Sequence, residues 1–160
     1  MKTGENGPHM VDISPKAVIQ REAVATGKIR VKSETADLIK QGKVEKGDPM
    51  TTAKISGILA AKNTSNIIPL CHPISITSID VEVDVSVNEV SVRATVKAIA
   101  KTGVEMEALT AVAASLLTVW DMVKQYEKDA NGQYPTTAIE NIHVLRKIKK
   151  GLEPHEQDSG

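Results

Sequence analysis

The chain predicts an α+β fold, an antiparallel sheet with helices packed on one face. Three observations carry that prediction. Residues 79–87 and 90–98 alternate apolar and polar side chains with the period of two expected of half-buried strands. Residues 101–124, KTGVEMEALTAVAASLLTVWDMVK, contain thirteen residues, Ala108 to Trp120, without a charge. The weaker signals around them complete the order β-α-α-β-β-α-β, in which neighbouring strands form antiparallel hairpins. A length of 160 residues suits one domain with a sizeable core, and no internal repeat divides it. The expected layout is a loose segment over 1–11, a single domain over 12–150 and a disordered polar tail over 151–160.

In chain order, 29–32 reads as a short strand. Ser33 is placed to cap a helix over 34–41, with Gly42 at its C-terminal cap. The loop GKVEKGD follows, carrying Lys43 and Lys46. Asp48 has the character of an N-cap, and Pro49 suits the first helical position. A helix over 50–62 would gather Ile55, Ile58 and Leu59 on one apolar face. The connector NTSNIIPLCHP is stiff, because Pro69 and Pro73 restrict the backbone on either side of Leu70, Cys71 and His72.

Asn88-Glu89 is the simplest hairpin turn between the two alternating stretches, although it is a weaker signal than Asn-Gly. It would pair Val87 with Val90, Asp84 with Arg93 and Asp80 with Lys97. Thr102 and Glu105 form the pattern of a capping box, which starts the long helix near Gly103. Its apolar middle reads as too short and too weakly apolar to span a bilayer. Burial on two sides is expected instead, against the sheet and against another subunit. NGQYP (131–135) is a turn. A last strand over 139–148 would place Ile142, Val144 and Arg146 on one face.

Lys and Arg number 20, as do Asp and Glu, so no bulk charge favours nucleic acid or an anionic membrane. The absence of Phe, with one Trp and two Tyr, leaves no stacking platform for single strands. The lone Cys71 excludes an intrachain disulfide and fits a reducing cytoplasm. A Cys/His metal site is not expected from one Cys adjacent to one His.

The chemistry-bearing residues each have a plain structural reading. His72 is either a proton-shuttling imidazole held by Pro73 or a loop histidine bonded to backbone. Glu105 and Glu107 are either functional carboxylates or groups favoured by the helix N-terminus. Asp121 and Lys124 share a helix face and make an ordinary surface pair, unless the apolar run places them at the edge of buried surface. Lys46 and Lys62 are surface lysines that could also bind a polyphosphate. Glu105 and Asp121 stand 16 residues apart, or ~24 Å along a helix axis. If both ends are catalytic, a second chain must bring its helix alongside.

Together HMVDIS (9–14), KGD (46–48), AAKNTSNIIPLCHPI (60–74), KTGVEMEALTAV (101–112) and DMVK (121–124) resemble the cyclic pyranopterin monophosphate synthase family of molybdenum cofactor biosynthesis, MoaC. PLCHP with TGVEMEALTA is the specific part. The resemblance implies a ferredoxin-like subunit, assembled as a hexameric trimer of dimers with its site at the dimer interface. It implies conversion of 3′,8-cyclo-7,8-dihydro-GTP to cyclic pyranopterin monophosphate with release of pyrophosphate. By motif, Asp121, Lys46 and Lys124 would move protons, and His72 would act with them. Leu70, Cys71, His72, Glu105, Met106 and Glu107 would hold the substrate, with Arg21 and Lys62 as phosphate contacts; Lys147, in the basic C-terminal segment and outside any matching motif, is a further candidate positive contact. The C-terminal segment RKIKKGLEP departs from the family's glycine-rich KSGGKSG. No resident cofactor or metal is implied, and magnesium enters only as a companion of the triphosphate. The alternative from another class is a ferredoxin-like oligomer that binds a nucleotide without catalysis.

Overall fold

A computed structural model of the protein describes residues 7–152. Of the two segments expected to be loose, 1–6 and 153–160 lie outside the described residues. The element order is β1 (Ile19–Arg30), α1 (Ser33–Lys40), α2 (Pro49–Lys62), α3 (Thr64–Ile67), β2 (Ile76–Val85), β3 (Glu89–Ala100), α4 (Glu105–Glu127) and β4 (Ala138–Lys150). The strands form one sheet in the order β2-β3-β1-β4, antiparallel throughout. Apart from the extra helices before β2, that is the ferredoxin-like βαββαβ topology. The β1 strand is much longer than the 29–32 expected, because Arg21, Ala23, Ala25, Gly27 and Ile29 alternate inward beneath the helices.

The core lies between sheet and helices. It is built from Val, Ala, Ile and Leu, with Ile29, Val92, Val96, Val112, Leu116 and Val119 among the fully buried side chains. Asp48 accepts from the Met50 N–H at 3.0 Å, which starts α2 as its sequence predicts, with Pro49 at the first helical position. The face that α2 buries is not the large apolar one expected. It is Pro49, Ala53, Gly57 and Ala61, spaced by four, and these small residues let α2 settle closely onto α4. The Ser115 hydroxyl donates to the Ala53 carbonyl at 2.8 Å across the crossing. A Cβ on Gly57 would collide with that same hydroxyl. Of the expected apolar face, Ile58 packs on the core while Ile55 and Leu59 point outward.

The α1 helix takes nothing from Ser33, since its N-cap is Lys32 with no side-chain cap. The cap arrives from the far end of α4. The fully buried Glu127 carboxylate accepts from the Lys32 N–H at 3.1 Å, from Thr137 Oγ1 at 2.8 Å and from Thr35 Oγ1. One side chain therefore ties α4, α1 and the approach to β4 together.

The β2–β3 register is offset by two residues from the tight-turn expectation. Val85 pairs with Val90, Glu82 with Arg93 and Ser78 with Lys97. A two-residue type I′ turn requires positive φ at both central residues, and neither Asn88 nor Glu89 has it. The loop lengthens instead, with the Ser86 N–H donating to the Glu89 carbonyl at 2.9 Å. A shift of two preserves the faces; Glu82 now opposes Arg93 on the solvent side, while Lys97 faces Ser78 rather than Asp80.

In β4 the alternation breaks. The register slips opposite Thr26–Lys28, where Asn141 has φ 61, and again between Val24 and Ala25. Ile142 fills the space over Gly27. After the second slip Val144 pairs with Ala25 but Arg146 with Val24, so Arg146 leaves the face expected for it. Lys147, paired with Ala23, takes the helix side instead.

The α4 helix starts at Glu105, two residues later than the capping-box pattern predicts, and its N-cap Val104 supplies no side-chain bond. The Glu105 carboxylate lies back over Gly103 but makes no capping bond to Thr102; it pairs with Lys147 instead. By length and composition α4 is long and apolar enough to cross a membrane, contrary to the reading of its sequence. It lies instead along the sheet, with ten of its residues buried.

Candidate functional site

Two groups of candidate residues come together, one at each end of α4. At the C-terminal end, the loop before α2 brings Lys46 to Asp121 across 75 residues of sequence. Lys46 Nζ lies 3.0 Å from the Asp121 carbonyl and 3.3 Å from Oδ2, and Lys124 Nζ lies 3.2 Å from Oδ1. All three side chains are open to solvent. Hydrogen bonding from Lys124 and then Lys46, with the charge of both, holds the Asp121 carboxyl below its usual range. The result is a carboxylate held ionised between two solvent-exposed ammonium groups.

At the N-terminal end lies a cavity of about 510 Å³. Leu70, Cys71, His72 and Ile74 form one wall, from the stiff connector. Thr102, Gly103, Glu105, Met106 and Glu107 form the opposite one. Glu107 is 3% exposed, and its Oε2 has no hydrogen-bond partner among the described residues. Burial pushes its carboxyl above the ordinary value; its own backbone amide pulls the other way, and the Glu105 charge adds to the rise. Burial and then the Glu107 charge likewise push the Cys71 thiol up, so Cys71 lines the cavity as a neutral group. Glu105 differs from its neighbour. Burial works to raise it, but Lys147 at 2.6 Å, its own amide and Arg21 together bring it below its usual range. Adjacent carboxyls in different environments divide into one that keeps its charge and one that resists it.

The structure does not bring every candidate into these two groups. Arg21 is 7% exposed beneath the helices, donating to the carbonyls of Ala100 at 3.3 Å and Lys101 at 3.1 Å. Lys62 lies beyond Ile74, beside a separate groove along β2. Lys147 reaches the cavity's edge through Glu105, because the slips in β4 turn it inward.

Sequence reasoning treated residues 7–11 as loose, yet the N-terminal segment covers the cavity. His72 Nε2 lies 2.7 Å from the Val11 carbonyl, and Lys101 Nζ donates to the Ser14 carbonyl at 3.2 Å. His9, Val11, Ile13 and Lys16 complete the lining. The motif HMVDIS was the available signal, but a polar irregular stretch carries no periodicity that marks it as part of a wall.

These features define a class: a ferredoxin-like α+β domain with a lysine–aspartate–lysine cluster at one end of its central helix and a carboxyl-lined cavity at the other. A profile of the MoaC family matches residues 10–151, and the chain belongs to that family. A relative from Pyrococcus horikoshii, named a probable cyclic pyranopterin monophosphate synthase, is 55% identical over 145 residues, covering 91% of each chain. One from Methanococcoides burtonii with the same name is 54% identical, over 90% of this chain and 91% of its own. One from Methanothermobacter thermautotrophicus is 51% identical over 94% of each chain, and its name reads synthase accessory protein.

Proposed function

We propose that this chain is a cyclic pyranopterin monophosphate synthase of molybdenum cofactor biosynthesis. It is a phosphorus–oxygen lyase that takes 3′,8-cyclo-7,8-dihydro-GTP and releases pyrophosphate. The observation that carries this reading is the gathering of Lys46 onto Asp121 and Lys124 from distant sequence. Closing the cyclic phosphate needs a sugar hydroxyl to lose its proton as it attacks the α-phosphorus. The bond to the departing pyrophosphate breaks in the same step. A carboxylate flanked by two ammonium groups can move that proton and balance the charge that develops. The opening and reclosing of the base ring draws on the same groups.

The cavity suits the base. Leu70, Cys71 and Met106 offer apolar surface. His72, Glu105 and Glu107 offer polar contacts, with the unpartnered Glu107 oxygen matched to the N–H edge of a purine or pterin. Lys147 balances Glu105. Lys62 faces another groove and is left out as a phosphate contact; Arg21, with two of its N–H groups on backbone carbonyls, acts on the cavity through the positive charge it places near Glu105.

One chain does not place the two groups together, since 16 residues of α4 separate Glu105 from Asp121, or ~24 Å. A second copy of the chain completes the site in this reading, within a hexamer built as a trimer of dimers. The outward Ile55, Leu59 and Leu117, each more than half exposed on the helical layer, are its natural contact. The enzyme works in the cytoplasm, where a GTP-derived substrate is available.

The test is turnover of the cyclised nucleotide, with pyrophosphate and pterin both measured. Asp121→Ala and Lys46→Ala should each lower the rate by about 10²–10⁴-fold. A normal rate in either refutes the assignment. Binding of the nucleotide without pyrophosphate release by the unaltered protein supports the non-catalytic oligomer instead.

A further inference from the structure

Lys46 sits on an exposed loop, residues 41–48, in which Val44 alone is buried. The loop leaves α1 at Gly42, φ +67, and rejoins the chain before α2 at Gly47, φ +115. Both conformations favour glycine. Open space surrounds both positions, so it is the backbone turn and not crowding that calls for glycine there. Between them Val44 is buried, and the Gly47 N–H donates to the Val44 carbonyl at 3.1 Å.

The residue just before Lys46 is held from outside the loop. The Glu45 backbone N–H donates to Tyr126 Oη at 2.9 Å, and Gln125 Nε2 donates to Glu45 Oε2 at 2.9 Å. Tyr126 is half-buried and packed against the core, so its hydroxyl is a fixed point and not a swinging one. Both holding residues lie on the last turns of α4, the same turns that carry Asp121 and Lys124.

We propose that Tyr126 and Gln125 are positioning residues for Lys46. They clamp the backbone at Glu45 so that the Lys46 ammonium is presented to Asp121. A lysine side chain loses much rotamer freedom when it is held in one place. Anchoring the preceding residue removes the loop's share of that disorder before substrate arrives. Clamp and target share one helix, so a shift of α4 carries both together and the Lys46–Asp121 geometry survives it. The inference rests on the reading of Lys46 as a proton-transfer group.

The test uses Tyr126→Phe, which keeps the packed ring and deletes the hydroxyl, and Gln125→Ala. Each should lower kcat for pyrophosphate release about two- to tenfold, the loss expected for one hydrogen bond. KM should stay unchanged, and Tm should fall by no more than a few degrees. In Tyr126→Phe the Glu45 amide should exchange faster, while those of α4 keep their protection. Wild-type kcat in both variants overturns the clamp, and so does a kcat that falls only in step with Tm and KM. Lys46→Ala, assayed alongside, separates the two failures. A normal rate in that variant removes the catalytic role of Lys46 itself. A dead Lys46→Ala beside an unaffected Tyr126→Phe removes only the clamp.

Discussion

Co-expression of two inactive chains should restore activity if the site is shared between copies. One chain carries Asp121→Ala and the other His72→Ala. Asp121 sits at the C-terminal end of α4, and His72 faces the cavity at its N-terminal end. The 16 residues from Glu105 to Asp121 correspond to ~24 Å, too far for one small reacting group to meet both within a chain. In a two-fold dimer each site would take Asp121 from one copy and His72 from the other. A mixed dimer then holds one doubly altered site and one intact site. Random pairing makes about half of the dimers mixed, so about a quarter of the wild-type sites survive. Pyrophosphate release by the co-purified mixture, measured against each variant alone, should recover to about that fraction. If both residues of a site came from the same chain, no mixed dimer would contain an intact one. A mixture as inactive as its components, with mixed dimers shown present by differential tags, would refute the shared site.

Three further predictions concern stability. Burial raises the Glu107 carboxyl, so the fold favours its protonated form. That contribution is complete below the ordinary carboxyl range and is lost as pH rises through the raised value. Glu107→Gln should therefore raise Tm by a few degrees at pH 8, about 1 kcal/mol, with little change at pH 4, while activity falls. Glu127→Ala strands the Lys32 N–H and the Thr35 and Thr137 hydroxyls. It should cost about 3 kcal/mol, seen as a Tm lower by about 6–12 °C. Gly57→Ala presses a methyl group onto Ser115 where α2 crosses α4. The urea midpoint should fall by the equivalent of about 1–3 kcal/mol, with the m-value unchanged.

What the sequence determined by itself was local. Period-two alternation located β2 and β3, and Asp48-Pro49 located the start of α2, because such signals act within a few residues. The charge-free run located α4 for the same reason. Most candidate residues of the two groups were also legible, since KGD, PLCHP, TGVEMEALTA and DMVK carry them as compact motifs, whereas the lining from His9, Val11, Ile13 and Lys16 carried no periodicity to mark it. Tertiary structure decided where those pieces face. The sequence placed the large apolar residues of α2 inward, but α4 approaches closely enough that only Pro49, Ala53, Gly57 and Ala61 fit between the helices. Two slips in β4, each set by pairing with β1, turned Lys147 rather than Arg146 towards Glu105. Lys46 met Asp121 only because a glycine-bracketed loop folded back onto α4. Close packing, strand register and long-range salt bridges depend on groups far apart in the chain, so no window of sequence contains them.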